Sequence, residues 1–138
     1  MSAPNDAALT QDRFALTMPP VTPVQLVKYA GASDDYNPIH YNADAAAAAG
    51  LGGIIAHGML TMGFMARAVT DWAGPRALVS RINARFTSPV RPGDVVEVAG
   101  VVTARGVEEG HREARCELVA TVGGKTVAQG EATVRFAA

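Results

Sequence analysis

The sequence has one cysteine, almost no net charge and no long apolar stretch, and each shortage excludes a class of protein. Cys116 is alone, so no intrachain disulfide can form, which favours a reducing compartment. A net charge of −1 gives no general attraction to nucleic acid or anionic lipid. The longest apolar stretch, residues 58–66, is too short to span a bilayer, and the N-terminus lacks the features of a secretion signal. We expect a cytoplasmic protein with no nucleic-acid or membrane partner.

The composition is that of one globular domain. The chain has 138 residues, of which 49% are hydrophobic and 18% charged, enough to build a single core. Residues 1–11 are predicted to be a flexible lead-in, and residues 12–138 to form the domain. Cys116 lies in an alternating run, which favours a packed strand position over a reactive thiol.

The first half of the chain carries helix signals. Thr22 followed by Pro23 is a cap with proline at the first helical position, and the helix is expected to run to about Ala32. Val24 and Val27, with Leu26 one residue off their stripe, are its apolar residues. Further on, an asparagine at position 42 is expected to cap a short alanine-rich helix over residues 43–49.

A longer helix and a set of strands follow. The segment from His57 or Gly58 to Trp72 is apolar nearly all round, which predicts a helix enclosed by other elements. Strand-like alternation is then found in four runs, after a shorter run over residues 13–18. The four runs are residues 79–87, 95–104, 112–122 and 126–136, separated by turns at 92–94, 109–110 and 123–125. This order predicts an α+β fold in which an antiparallel sheet wraps around one long helix.

The chemistry-bearing motif is DYNPIH at residues 35–40. It places the carboxylate of Asp35 and the imidazole of His40 five residues apart, across a turn stiffened by Pro38. A second motif, IAHGMLTMG at residues 55–63, puts the amide of Gly58 in the first turn of the long helix. Amides there lack intrahelical partners and favour negative charge. A proton-handling pair and an oxyanion donor are the equipment for adding or removing water beside a thioester carbonyl.

These motifs, with LVKYAG at residues 26–31, resemble the hydratase signature of the MaoC-like family. Within that family the run is most similar to the catalytic subunit of actinobacterial (3R)-hydroxyacyl-ACP dehydratases of fatty acid synthesis. The resemblance covers roughly Leu26 to the C-terminus. It implies a single hot-dog domain, with the long helix at its centre.

The resemblance also implies roles for individual residues. Asp35 and His40 match the family's catalytic pair, which holds a water molecule, and Gly58 matches its oxyanion donor. Asn37 is expected to support the motif loop through side-chain hydrogen bonds. His57 is expected either to cap the long helix or to line the pocket. No metal and no cofactor are implied.

The implied activity is interconversion of trans-2-enoyl and (3R)-3-hydroxyacyl thioesters carried by CoA or ACP. A hot-dog thioesterase is one alternative, and a subunit that needs a partner chain is another. The resemblance implies a dimer, either of identical chains or with a related hot-dog subunit. The acyl chain, the carrier, the reaction direction and the division of labour between Asp35 and His40 are not specified by the sequence.

The chain departs from the family pattern at two positions. The residue before the catalytic aspartate is commonly glycine, and here it is Asp34. One hydratase type has a serine on the long helix where this chain has Ala66. Two basic residues, Arg85 and Arg91, are open to two interpretations, either contact with a carrier phosphate or surface charge.

Overall fold

The fold is a five-stranded antiparallel sheet with one long helix packed against it. The computed structural model describes residues 7–137. The strands lie in the order β1-β3-β4-β5-β2, and every neighbouring pair is antiparallel. The elements in chain order are α1 (Ala7–Thr10), β1 (Arg13–Thr17), α2 (Pro23–Ser33), a 3₁₀ helix (Pro38–His40), α3 (Ala43–Ala48), α4 (Gly58–Ala73), β2 (Ala77–Phe86), β3 (Val96–Glu108), β4 (His111–Val122) and β5 (Lys125–Phe136).

The core lies between α4 and the inner face of the sheet. Helix α4 contacts all five strands. Met65 and Val69 on α4 and Leu118 and Val134 on the strands are almost fully inaccessible. Each such side chain contributes about 1.5–3 kcal/mol through burial. The predicted α+β arrangement of a sheet around one long helix is confirmed.

Two tight hairpins set the register of the long strands. Glu109 and Gly110 both have positive φ, and so do Gly123 and Gly124. Two consecutive residues of this kind form the two-residue turns whose twist matches that of paired strands. The pairs that close the turns, Glu108 with His111 and Val122 with Lys125, are in direct register. Both turns lie where the sequence places them.

Helix α2 begins as predicted, but its buried face is different. The Thr22 side chain accepts a hydrogen bond from the Gln25 amide. The side chains that reach the core are Leu26 and Ala30, whereas Val24 is 63% exposed and Val27 58% exposed. The expected Val24/Val27 stripe is wrong as an inner face, because residues four apart at 26 and 30 share a different side of the helix.

Part of the segment predicted as a flexible lead-in, residues 1–11, packs against the core. Residues 1–6 of that lead-in lie outside the described residues, but Ala7–Thr10 form a helical turn in which Ala8 is fully buried. The Arg105 guanidinium donates to the carbonyls of Ala8 and Gln11 and pairs with Asp12 at 3.0 Å. The segment from residue 7 is therefore held against β3 rather than loose.

Helix α4 is covered on one side only. Met59 is 57% exposed, and Arg67 and Asp71 form an ion pair at 3.5 Å on the outer side. Within residues 7–137 the predicted enclosure is partial, because one sheet covers only one flank of a helix. Among the helices of residues 7–137, none has the length and apolar character needed to cross a bilayer.

Candidate active site

The motif segment is shaped by hydrogen bonds within its own loop. Asp34 ends α2 in the left-handed conformation, with φ 57° and ψ 28°. Glycine adopts this conformation without steric cost, and aspartate is one of the few other residues that tolerate it. The Asn37 side chain then accepts from the Ile39 amide, and the Asp35 carboxylate accepts from the Asn37 amide at 3.2 Å. These bonds fix the turn that carries Asp35 towards His40.

The loop before α4 is anchored on both sides. The Ile55 amide donates to the Ile39 carbonyl, and the Ala56 amide donates to the Val90 carbonyl at 2.7 Å. Arg91 holds the same loop, since its guanidinium donates to the Leu51 carbonyl at 2.6 Å. Arg91 is thus part of the scaffold, a role that no local sequence pattern indicates.

The fold brings Asp35, His40 and His57 together. One side-chain donor or acceptor atom from each lies within 4.8 Å of those of the other two. The Asp35 side chain is exposed, whereas His40 is 7% exposed and His57 1%. A single water molecule spans such a separation, because each of its hydrogen bonds measures about 2.7–3.0 Å. The predicted proximity of Asp35 and His40 is present.

Backbone carbonyls define the tautomers of both histidines. The Nδ1 of His40 lies 2.7 Å from the Ile55 carbonyl oxygen, and the Nε2 of His57 lies 3.1 Å from the Asp35 carbonyl oxygen. A carbonyl only accepts, so each of these nitrogens carries a proton and donates. In the neutral imidazoles, the lone pair is then on Nε2 of His40 and on Nδ1 of His57.

His57 does not cap α4. It occupies the N-cap position, but its side chain makes no capping hydrogen bond. Its ring instead stacks on the His40 ring at 3.7 Å between centroids and 24° between planes. The Tyr29 ring meets it edge-on at 4.8 Å. Of the two expected roles, capping is excluded, and the side chain packs beside the Asp35/His40 pair.

Gly58 begins α4 at the wall of an open, largely apolar groove. No group in the described part of the chain accepts from its amide hydrogen. A Cβ at this position would lie 2.9 Å from the Phe86 ring, so only glycine allows this close approach. The groove, of about 410 Å³, is lined by Ile55, Ala56, Gly58, Thr61, Phe86, Thr87, Ser88, Pro89, Val90 and Val127. Because Ile55 also accepts from His40, the groove runs beside the Asp35/His40 pair.

Asp35, His40 and His57 together offer one carboxylate and two imidazoles, which are groups that can bind a metal ion. Their geometry suits one poorly, since the lone pairs of stacked imidazoles lie in nearly parallel planes and do not converge on one point. A zinc ion sits about 2.0–2.1 Å from each imidazole nitrogen and requires such convergence. The metal-free site therefore stays our prediction.

Cys116 is expected to be unreactive in the folded protein. Burial raises the pKa of its thiol from 9.0 to about 11, and the charge of Arg105 offsets only part of this rise. The thiol is then protonated below pH 11, and at pH 8 its thiolate fraction is about a hundredfold below that of an ordinary thiol. We expect alkylation by iodoacetamide at pH 8 to be very slow in the native protein and fast in denaturant. Rapid labelling of the native chain would contradict the packed position.

Comparisons with known proteins agree with this fold. The family pattern described as MaoC like domain matches residues 5–125. The (R)-specific enoyl-CoA hydratase of Rhodospirillum rubrum is 39% identical over 107 residues, which are 77% of this chain and 73% of that protein. The (R)-hydratase of A. caviae superposes with a TM-score of 0.81 at 25% identity, over 90% of this chain and 93% of that one. The ChsH1–ChsH2 complex of Mycobacterium tuberculosis contains a chain with a TM-score of 0.79 at 28% identity, over 90% and 94%.

Proposed function

Because the chain belongs to the MaoC-like family of hydratases and dehydratases, we propose that it interconverts trans-2-enoyl and (3R)-3-hydroxyacyl thioesters. The observation that carries this proposal is the placement of Asp35 and His40 within 4.8 Å of each other, beside a groove that starts at Gly58. The named hydratases among its relatives support the same reaction. The reaction needs no metal and no redox cofactor.

The two side chains bind the attacking water by each accepting a hydrogen bond from one of its O–H groups. His40 offers the Nε2 lone pair, because its Nδ1 proton is committed to the Ile55 carbonyl. Asp35 offers a carboxylate oxygen and is held in place by the Asn37 amide. During hydration the pair takes one proton from the water, and the water oxygen forms a bond to C3. The pair then gives a proton to C2 and returns to its starting state, so that the net change is addition of hydrogen and hydroxyl.

Gly58 stabilises the charge that develops between these two steps. When oxygen bonds to C3, the electrons of the C2–C3 double bond move towards the thioester carbonyl and leave negative charge on its oxygen. The free Gly58 amide at the N-terminus of α4 donates to that oxygen, and the helix dipole acts in the same direction. The apolar groove walls hold the acyl chain and exclude competing water.

We propose that the working unit is a dimer, with an identical chain or a related hot-dog subunit. Strand β2 is hydrogen-bonded to β5 on one side and forms an edge of the sheet on the other. It carries two exposed apolar side chains, Leu78 (64% exposed) and Phe86 (45%), and its unpaired backbone groups can be paired by another chain. The buried single thiol is suited to the reducing cytoplasm, which we propose as the compartment.

The test is an assay of the purified chain with crotonyl-CoA and longer enoyl-CoA substrates. We expect loss of the enoyl-thioester absorbance, and no turnover by the Asp35→Asn, His40→Ala double variant. A double variant as active as the wild type would end the proposal. Release of free CoA from saturated acyl-CoA, unaffected by His40→Ala, would instead identify a thioesterase. If the chain is inactive alone but active when it is mixed with a related hot-dog subunit, it is a partner-dependent subunit.

A further inference from the structure

We propose that His57 is a positioning residue, which holds Asp35 and His40 in their working arrangement and is retained for that purpose rather than for packing. This inference rests on the proposed hydratase function. It gives a task to a buried histidine that the reaction scheme does not use. His57 does not touch the substrate in this scheme and acts through its neighbours.

A single buried ring contacts both members of the pair. The His57 Nε2–H donates to the backbone carbonyl of Asp35 at 3.1 Å, which fixes the backbone that carries the carboxylate. The flat face of the same ring stacks on His40 at 3.7 Å, which restricts rotation of the basic imidazole. Since His57 immediately precedes Gly58, the ring also links the pair to the start of α4.

The other ring nitrogen argues against a packing role. The Nδ1 of His57 is buried, and no group in residues 7–137 forms a hydrogen bond with it. A buried polar atom without a partner lowers stability. For packing alone, an apolar ring of similar shape would serve better at this position. The histidine is explained if its Nε2–H is needed to hold Asp35.

Two substitutions separate the hydrogen bond from the ring. His57→Phe keeps a flat ring for Tyr29 and His40 but loses the donor, whereas His57→Gln keeps an N–H close to the Nε2 position and loses the ring. We expect His57→Phe to lower kcat for enoyl-CoA hydration by tenfold to a hundredfold, because small displacements of reacting groups have effects of that order. KM should stay within about twofold, because the groove walls are unchanged.

Thermal unfolding distinguishes a positioning role from a purely structural one, because loss of a structural residue would lower Tm together with kcat. We expect the Tm of His57→Phe to equal or exceed that of the wild type, so that the stable variant is the slow one. His57→Gln should recover part of the lost kcat. Val69→Ala is the matched control, since Val69 is fully buried on α4, the helix that follows His57, and belongs to the hydrophobic core; it should lower Tm and leave kcat unchanged.

The outcomes distinguish this inference from the proposed function. If the wild type does not hydrate enoyl-CoA, the proposed function itself fails. If the wild type is active and His57→Phe keeps its kcat, the positioning role is rejected and the function stands. If the larger ring prevents folding, His57→Leu takes its place, with the same expected loss of kcat at unchanged KM. A loss of kcat that only follows the folded fraction, as judged by Tm, would also reject the role.

Discussion

Asp35→Asn is expected to lower kcat for enoyl-CoA hydration by about a hundredfold to ten-thousandfold, the range typical of a lost general acid or base. Asparagine has nearly the same shape, and its carbonyl oxygen can still accept from the Asn37 amide, so the loop should keep its conformation. What is lost is the negative charge and one of the two acceptors that hold the water. Initial rates over a range of substrate concentrations give kcat and KM, and a thermal melt checks folding.

Asp34 provides the matched control for this experiment. It is the neighbouring carboxylate, it is exposed, and its left-handed conformation is one that asparagine also tolerates. Asp34→Asn removes the same charge one residue away and should leave kcat within about twofold of the wild type. Equal losses in the two variants would show a general effect of charge. Unchanged activity of Asp35→Asn would remove this carboxylate from the reaction scheme.

Removal of the Gly58 amide hydrogen is expected to lower kcat by about a hundredfold to a thousandfold, as for other single oxyanion donors. Proline at this position removes the hydrogen and suits the backbone. Gly58 is the first residue of α4, where proline is favoured, and His57 has φ −60° and ψ 135°, a conformation that proline tolerates in the preceding residue. The helix should therefore form without its first donor.

The proline variant needs a control for steric contact. A Cβ at Gly58 would lie 2.9 Å from the Phe86 ring, so any substitution there crowds the groove. We therefore compare Gly58→Pro with Gly58→Ala, each combined with Phe86→Ala to relieve the contact. Both pairs carry a Cβ, and only the alanine pair keeps the N–H. Equal kcat in the two would show that the amide is not an oxyanion donor.

Local sequence signals predicted most helices and strands of the fold and the candidate residues of the site. The cap at Thr22, the break at Pro38 and the glycine turns act over a few residues, so they can be identified without knowledge of the rest of the chain. The motif around Asp35 and His40 is also local, and the structure brings the two side chains together. The start of α4 at Gly58 follows from the change in hydrophobic pattern.

Contacts between distant segments could not be predicted in this way. The His57–Asp35 hydrogen bond joins residues 22 positions apart, and Arg91 reaches the Leu51 carbonyl across 40. Which side of a helix is buried depends on where the sheet lies. For this reason Leu26, and not Val24, is the residue of α2 that faces the protein core, and α4 has an uncovered flank.

Phe86 lies both at the edge of the sheet and at the candidate site. It is the last residue of β2, and its ring packs against Gly58. A chain docked along that edge would contact the very ring that borders the reaction cleft. Substitutions in the contact between subunits would then shift this ring and change which acyl groups the groove accepts. Assembly and substrate choice in this protein are therefore expected to evolve together.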